Sequence, residues 1–215
     1  MSSLIVKLLL IPLLFFTILL VANDTYYQHK VSQFELLSKQ TNKNITMIGD
    51  SITERGLWDE LTNRNDIINR GISGDTTNGV LKRLDSLNSR LKQAFIMIGI
   101  NDLIKGERVE YVFENYKKII TLLKQKNITP IIQSTLYVGE NTPPSYNQKV
   151  TQLNSLLLSY AKQNKIIFID LNKYLAPNNY LNPKYSSDSL HLNGRGYIIW
   201  TKSIEKYFNV KINLK

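Results

Sequence analysis

The stretch at residues 44–51 reads NITMIGDS. Its short apolar run, Ile45 to Ile48, is rich in β-branched side chains, which is typical of a strand buried on both faces of a sheet. Gly49 ends the run, and Asp50-Ser51 opens a segment that we expect to be helical. A strand that turns directly into a helix is the unit from which α/β folds are built, so this stretch predicts that class of fold.

Four further short apolar runs follow, and longer amphipathic stretches separate them. The additional strands are expected at 67–68, 95–98, 131–132 and 166–169, and helical spacing of apolar residues occurs at 110–126, 147–162 and 196–208. This alternation predicts an α/β three-layer sandwich with a five-stranded parallel sheet. Ligands of such sheets bind beyond the carboxyl ends of the strands, so we expect the chemistry just after the strands.

Composition excludes several classes of site. The chain has 215 residues, enough for one domain with its own core, and it contains no cysteine. Disulfide frameworks, thiolate zinc sites and cysteine nucleophiles are therefore excluded. The formal charge is +10, but the lysines are scattered rather than clustered in a stripe. A nucleic-acid site needs such a stripe, so we expect a generally basic, solvated surface and no nucleic-acid partner.

The first 22 residues differ from everything after them. Residues 8–22 read LLLIPLLFFTILLVA without a charge, and residues 4–22 contain only Lys7, near one edge, where it can snorkel to a membrane interface. We interpret residues 1–22 as a signal peptide or a membrane anchor. Both alternatives stay open, because Ala22 suits a cleavage site whereas Leu20 is large for the small-x-small pattern.

Residues 23–43 are polar and lack a clean period, so we interpret them as a tether, in part helical, before a domain at residues 44–215. The charges that flank the apolar segment are only weakly asymmetric. They favour an extracytoplasmic domain, periplasmic or secreted. Contact with a membrane is expected only through residues 4–22, if these stay uncleaved.

Gly49-Asp50-Ser51 follows the first strand directly. A serine at a tight strand-to-helix turn exposes its hydroxyl, and its own N–H lies at a helix start, where a negative charge is favoured. The same tripeptide is also typical of an ordinary turn with a helix N-cap. By itself, the tripeptide leaves both interpretations open.

Two further polar segments follow the second and third strands. The Gly74 N–H is a candidate second donor to an oxyanion, while Asp75 is expected to cap the next helix. The side-chain amide of Asn101 is a candidate third donor, with an Asx-turn as its alternative. Asp102 is left as a candidate structural acceptor for backbone N–H groups.

Asp188 precedes His191 by three residues, a spacing that lets the carboxylate accept from Nδ1–H and leaves Nε2 free to take a proton. The chain has 2 histidines, and the other, His29, lies in the polar tether. If a histidine acts as a base, we therefore expect it to be His191.

The chain resembles the SGNH (GDSL-like) hydrolase superfamily in four blocks that match in order and approximate spacing: Gly49-Asp50-Ser51, Gly74-Asp75, Gly99-x-Asn101-Asp102 and Asp188-x-x-His191. The resemblance covers residues 44 to about 208. Residues 69–77 (NRGISGDTT) and the ending HLNxxGY from His191 are similar to the branch of platelet-activating-factor acetylhydrolase-like proteins and bacterial lysophospholipase/thioesterase enzymes.

The resemblance implies a flavodoxin-like SGNH hydrolase fold and a serine esterase that needs no metal or organic cofactor. Its catalytic residues would be Ser51, Asp188 and His191, and the N–H groups of Ser51 and Gly74 and the amide of Asn101 would form the oxyanion hole. The expected substrate is a small-molecule, lipid or glycan ester: a short acyl ester, a lysophospholipid or an O-acetylated glycan. An O-acetyltransferase of surface polysaccharide and a catalytically dead binding module remain alternatives.

Overall fold

The computed structural model describes residues 25–88 and 90–208. One sheet of five parallel strands forms its centre, in the order β2-β1-β3-β4-β5. This order and the parallel pairing confirm the predicted α/β, flavodoxin-like fold. The strands are β1 (Ile45–Gly49), β2 (Ile67–Gly71), β3 (Gln93–Met97), β4 (Thr129–Gln133) and β5 (Ile167–Ile169).

The helices pack in two groups that flank the sheet. In one group, α6 contacts α4, α5 and α7, and α5 also contacts α7; in the other, α9 contacts α3 and α8. The helices are α1 (25–38), α2 (Ser51–Glu54), α3 (Trp58–Thr62), α4 (Thr77–Arg83), α5 (Ile100–Ile104), α6 (Val109–Gln125), α7 (Pro144–Gln163), α8 (Asn172–Leu175) and α9 (Gly194–Ile204). Short 3₁₀ turns lie at Leu84–Ser86, Pro183–Tyr185 and Glu205–Tyr207.

The core explains why the apolar runs form strands. Every residue of β1 and β3 is buried, as is expected for central parallel strands that are covered by helices on both faces. The helical spacing in α6 puts Val112, Tyr116 and Ile119 on the buried side of that helix. Burial of these faces supplies most of the driving force for folding.

Polar residues extend strand β2 beyond its apolar run. Strand β2 continues through Asn69 and Arg70 to Gly71, where it still pairs with β1. Ladder hydrogen bonds use the backbone, so a strand can include polar side chains that a search for apolar runs does not detect. Conversely, Ile98 and Ile166 lie just outside β3 and β5.

The segment predicted as a tether is helical at residues 25–38, and this helix α1 lies against the domain. Its Phe34 is buried, and the guanidinium of Arg70 lies 4.5 Å from the centre of the Phe34 ring. The Tyr27 hydroxyl donates to the carbonyl of Gly79, 2.8 Å away. The apolar segment at residues 4–22 lies outside the described residues. Within 25–88 and 90–208, no helix has the length and apolar character to cross a membrane.

Candidate active site

Ser51 begins helix α2, and Asp50 caps that helix by accepting a 2.9 Å hydrogen bond from the Ile52 N–H. Gly49 makes the turn possible: a Cβ there would lie 2.1 Å from Thr53 Oγ1 and 2.3 Å from the Met97 carbonyl oxygen. The two sequence interpretations of Gly-Asp-Ser are therefore compatible. Asp50 is the cap, and the Ser51 hydroxyl stays available for other partners.

A hydrogen-bonded chain of three side chains joins the carboxyl end of β1 to the loop before α9. Ser51 Oγ lies 2.9 Å from His191 Nε2, and His191 Nδ1 lies 2.6 Å from Asp188 Oδ2. Asp188 Oδ1 also accepts the backbone N–H of His191 at 2.7 Å. The structure thus brings together the three residues that the sequence predicted as a group. His29, the alternative histidine, lies on α1 with its Nε2 3.1 Å from Gln33 Nε2.

Asp188 is held as a carboxylate. Partial burial raises its pKa, but hydrogen bonds from the backbone and ring of His191 and from the Leu190 N–H outweigh burial and lower the pKa to about 2. An ionised Asp188 accepts from Nδ1–H and so orients Nε2 as an acceptor towards the Ser51 hydroxyl. The side chain of Asp188 is 47% exposed, so solvent reaches the Asp188 end of the three hydrogen-bonded side chains.

The candidate oxyanion donors follow adjacent strands. Gly49 pairs with Gly71 on one side and Met97 on the other, so the segments after these three residues meet at one edge of the sheet. Gly74 has a φ of +76°, a left-handed conformation that favours glycine. Asn101 donates a 2.9 Å hydrogen bond from Nδ2 to the Asp75 carbonyl, which leaves its second amide hydrogen for a ligand.

Two backbone donors at this edge have no acceptor within the described part of the chain. Among residues 25–88 and 90–208, no protein acceptor is found for the N–H of Ser51 or Gly74. Two free backbone N–H groups and one side-chain amide hydrogen at one sheet edge suit a developing negative charge.

One expectation about this loop was wrong. Helix α4 is capped by Thr76, whose hydroxyl accepts from the Gly79 N–H, and not by Asp75. Asp75 instead forms a 2.8 Å ion pair with Arg83, and both side chains are almost fully buried. The sequence did not reveal this pair because the Arg83 guanidinium reaches back over two turns of α4. Asp102 is a structural acceptor, as one interpretation had it: it accepts the backbone N–H and hydroxyl of Thr77.

Two carboxylates beside Ser51 were missed by the sequence reasoning. Asp50 is fully buried, and its Oδ2 has no hydrogen-bond partner among the described residues. Burial, together with the charges of Asp75 and Asp102, raises its pKa to about 7 despite a hydrogen bond from Ile52. Glu54, at the other end of α2, bonds to Ser73 and to two side chains of α1. No sequence pattern marks the full burial of Asp50 or the contacts of Glu54, since both depend on segments that are far away in the chain.

The loop after β4 supports the segment that carries His191. The Gly139 N–H donates to the Ser189 carbonyl at 2.7 Å, and a Cβ on Gly139 would lie 2.5 Å from Ser189 Cβ. A cavity of about 600 Å³ lies beside this contact. It is lined mainly by amides, prolines and Tyr180. The loop after β4 thus contributes Gly139, Glu140 and Asn141 to a cavity next to the histidine segment.

Comparison with known proteins places these features in one family. The model of the GDSL-like Lipase/Acylhydrolase family matches residues 47–199, a range that includes Ser51, Gly74, Asn101, Asp188 and His191. The chain belongs to this family. It is therefore a member of a family of ester-cleaving hydrolases, and the expected resemblance to the SGNH (GDSL-like) hydrolases is confirmed.

Three known proteins show what the chain is similar to. The chain is 29% identical over 170 residues to an N-acylneuraminate cytidylyltransferase of Streptococcus agalactiae, covering 79% of this chain and 38% of that protein. The chain thus spans well under half the length of that relative. It is 27% identical over 188 residues to human platelet-activating factor acetylhydrolase IB subunit alpha2, covering 82% and 81%. A solved GDSL-like lipase from Bacteroides thetaiotaomicron superposes with a TM-score of 0.71 at 26% identity, covering 82% and 96%.

Proposed function

We propose that the protein is a serine esterase that cleaves carboxylic esters through an acyl-enzyme. The hydrogen-bonded chain from Ser51 Oγ through His191 to Asp188 is the observation that carries this proposal. A serine is a weak nucleophile until a base takes its proton, and an imidazole held by a carboxylate is such a base.

In the proposed mechanism, Ser51 Oγ attacks the ester carbonyl while His191 Nε2 accepts the hydroxyl proton. The N–H groups of Ser51 and Gly74 and the Asn101 amide stabilise the oxyanion of the tetrahedral intermediate. His191 then protonates the leaving alcohol, and the alcohol departs. Water, deprotonated by His191, attacks the acyl-enzyme in the same way and releases the acid and free Ser51.

We propose a short acyl group as the part of the substrate that is transferred. The similarity to a protein named an acetylhydrolase supports this choice. The alcohol part remains a lysophospholipid or a glycan in this proposal, and the amide-lined cavity beside Ser189 is a place where it would fit. A hydrolysis panel of acetylated sugars and of lysophospholipids that carry an acetyl ester distinguishes these two alcohols, and a lysophospholipid with only its long acyl chain tests the choice of a short acyl group.

Hydrolysis is proposed over acyl transfer because a similar protein is named an acetylhydrolase and because water reaches the Asp188 end of the hydrogen-bonded side chains. A transferase needs to exclude water from the acyl-enzyme so that an acceptor hydroxyl attacks instead. Addition of an acceptor sugar to the assay tests this: transfer products in place of free acetate would favour the transferase.

An extracytoplasmic location, with the membrane contacted through residues 4–22 if these are uncleaved, is part of the proposal. Cell fractionation of the full chain tests it, because the protein in the cytoplasmic fraction would contradict it.

The central experiment compares the full-length protein with Ser51→Ala and with Ser155→Ala, an exposed serine on α7. We expect the parent and Ser155→Ala to hydrolyse p-nitrophenyl acetate and to be labelled by a fluorophosphonate. Ser51→Ala should lose both properties and keep the parent's circular dichroism spectrum. Undiminished hydrolysis by Ser51→Ala would overturn the assignment of the nucleophile. A parent that is not labelled would favour the dead binding module.

A further inference from the structure

Glu54 closes the short helix that begins at Ser51, and its carboxylate contacts two other segments of the chain. Oε2 accepts from the Ser73 backbone N–H at 2.7 Å and from the Ser73 hydroxyl at 2.5 Å. Oε1 accepts from the Tyr26 hydroxyl at 2.5 Å and lies 2.9 Å from Lys30 Nζ. One carboxylate therefore joins the helix of the candidate nucleophile, the loop of Gly74 and helix α1.

The loop that carries Gly74 has little packing to hold it. Ser73 and Gly74 are both exposed. A Cβ added to Gly74 would have no neighbouring atom of the described residues within 4 Å. Hydrogen bonds hold the loop instead: Ser73 binds Glu54, the Gly74 carbonyl accepts from Lys105 Nζ at 3.1 Å, and the Asp75 carbonyl accepts from Asn101. The Gly74 N–H belongs to the planar peptide that joins it to Ser73, so fixing Ser73 restricts the direction of that N–H.

Helix α1 keeps the Glu54 carboxylate in place and charged. The Glu54 side chain is 14% exposed, and this burial raises its pKa; the hydrogen bonds from Ser73, Tyr26 and Lys30 and the charge of Lys30 outweigh burial and lower the pKa below its ordinary value. Hydrogen bonds to an ionised acceptor are shorter and stronger than neutral ones. The helix itself is anchored through buried Phe34 and through the bond from Tyr27 to Gly79.

We propose that helix α1 is a positioning element of the active site, in which Tyr26 and Lys30 hold Glu54 and Glu54 holds Ser73 so that the Gly74 N–H points at the oxyanion. This inference rests on the proposed function, because it uses Gly74 as an oxyanion donor. Glu54 touches no reacting atom in this scheme and acts through Ser73. The segment interpreted from the sequence as a tether would thus contribute to turnover.

The test uses the full-length chain and the double variant Tyr26→Phe/Lys30→Met. Its matched control is Tyr174→Phe/Lys39→Met, which makes the same chemical changes at exposed positions away from Glu54. An interaction made only in the transition state changes kcat and leaves KM alone, so we expect kcat to fall about tenfold with KM within about twofold of the control. The melting temperature of the double variant should stay close to that of the control, since Tyr26 is 42% exposed.

A graded series at Glu54 separates positioning from folding. Glu54→Gln keeps one acceptor oxygen and should lose less kcat than Glu54→Ala, while Ser73→Ala removes the hydroxyl bond alone and should lose about threefold, in keeping with the modest worth of one such bond. If Glu54→Ala does not fold, Ser73→Ala and the α1 double variant decide the matter.

Two results would overturn the inference. One is a double variant whose kcat equals that of the control, and the other is a loss of kcat/KM that comes entirely from a higher KM. Both results can be told apart from failure of the proposed function. If the proposed function is wrong, the parent itself shows no hydrolysis that depends on Ser51, and the positioning scheme is then wrong as well.

Discussion

The hydroxyl of Tyr197, on α9, donates a 2.7 Å hydrogen bond to the carbonyl oxygen of Ile52, on α2. This bond joins the helix that starts directly after the His191 loop to the helix that starts at Ser51. The ring of Tyr197 is buried against Trp58 and Trp200, with ring centres 6.0 and 6.1 Å away. The distance between the candidate base and the candidate nucleophile therefore depends on packing between α2, α3 and α9.

Replacement of Tyr197 by Phe should lower both stability and turnover. The buried Ile52 carbonyl loses its partner, at a cost of about 1 kcal/mol, and α2 is freer to shift relative to His191. We expect kcat to fall several-fold and the melting temperature to drop by a few degrees, measured by steady-state kinetics and thermal melting. Tyr160→Phe, a half-buried tyrosine on α7, is the control. An unchanged kcat would show that the bond does not position the site.

Replacement of Asn101 by Ala should remove one proposed oxyanion donor and the bond to the Asp75 carbonyl. Loss of one such donor typically lowers turnover by about a hundredfold to a thousandfold, and it acts in the transition state. We expect kcat to fall to that extent with little change in KM for p-nitrophenyl acetate, while Asn78→Ala, an exposed asparagine on α4, should behave as the parent. A rise in KM at constant kcat would instead make Asn101 a substrate-binding residue.

Asp50 should make stability depend on pH. Its pKa rises from 3.8 to about 7 on folding, so between these values the folded state binds a proton that the unfolded state has lost. The stabilising contribution of the protonated form is complete below pH 3.8, declines as pH rises and is lost above pH 7. Over these three pH units, the contribution of Asp50 to the free energy of unfolding falls by roughly 4 kcal/mol.

Asp50→Asn keeps the oxygen that caps Ile52 and cannot ionise. The free energy of unfolding of the variant, from urea titrations at pH 4 to 8, should therefore fall less with increasing pH than that of the parent. Asp75 and Asp102 remain in both proteins, so both curves include their titration. Parallel curves for the two proteins would show that Asp50 stays charged at neutral pH.

Arg83→Met should be strongly destabilising. It leaves Asp75 as an unpaired buried carboxylate and also removes the 3.1 Å hydrogen bond from Arg83 to the Gly49 carbonyl. Breaking a buried pair from one side typically costs about 3 to 5 kcal/mol, whereas an exposed pair contributes about 1 kcal/mol or less.

The control for this change is Lys117→Met, which breaks the surface pair with Glu114. The free energies of unfolding of both variants, from urea denaturation, give the comparison. Equal losses would mean that the Asp75–Arg83 pair contributes no more than a surface ion pair. The double change Asp75→Leu/Arg83→Met should recover part of the loss, because no charge is then left buried.

Much of the site could be predicted because it lies at the ends of strands. Each of Ser51, Gly74 and Asn101 follows a strand of the sheet, and parallel strands have their carboxyl ends at one edge. The pairing of Asp188 with His191 was predictable for another reason: three residues of separation put both within one turn of chain. The spacing between nearby residues and the order of the strands along the chain can be read directly from a sequence.

The contacts that hold these residues in place were not predictable. Asp75 pairs with Arg83 instead of capping α4, and Glu54 reaches Tyr26, 28 residues away in the chain. Such contacts depend on how helices dock, which is decided by the shapes of the buried faces together and not by any one segment.

The stretch at residues 44–51 thus determined by itself the strand, the turn and the serine at its end, because apolar periodicity and a glycine are local requirements. The tertiary structure alone decided that His191 Nε2 lies 2.9 Å from that serine, that Asp50 is buried with no partner for Oδ2 among the described residues, and that Tyr26 of helix α1 bonds to Glu54. Hydrogen-bond distances across the fold are set by the packing of the whole core, and this information is spread over every buried residue.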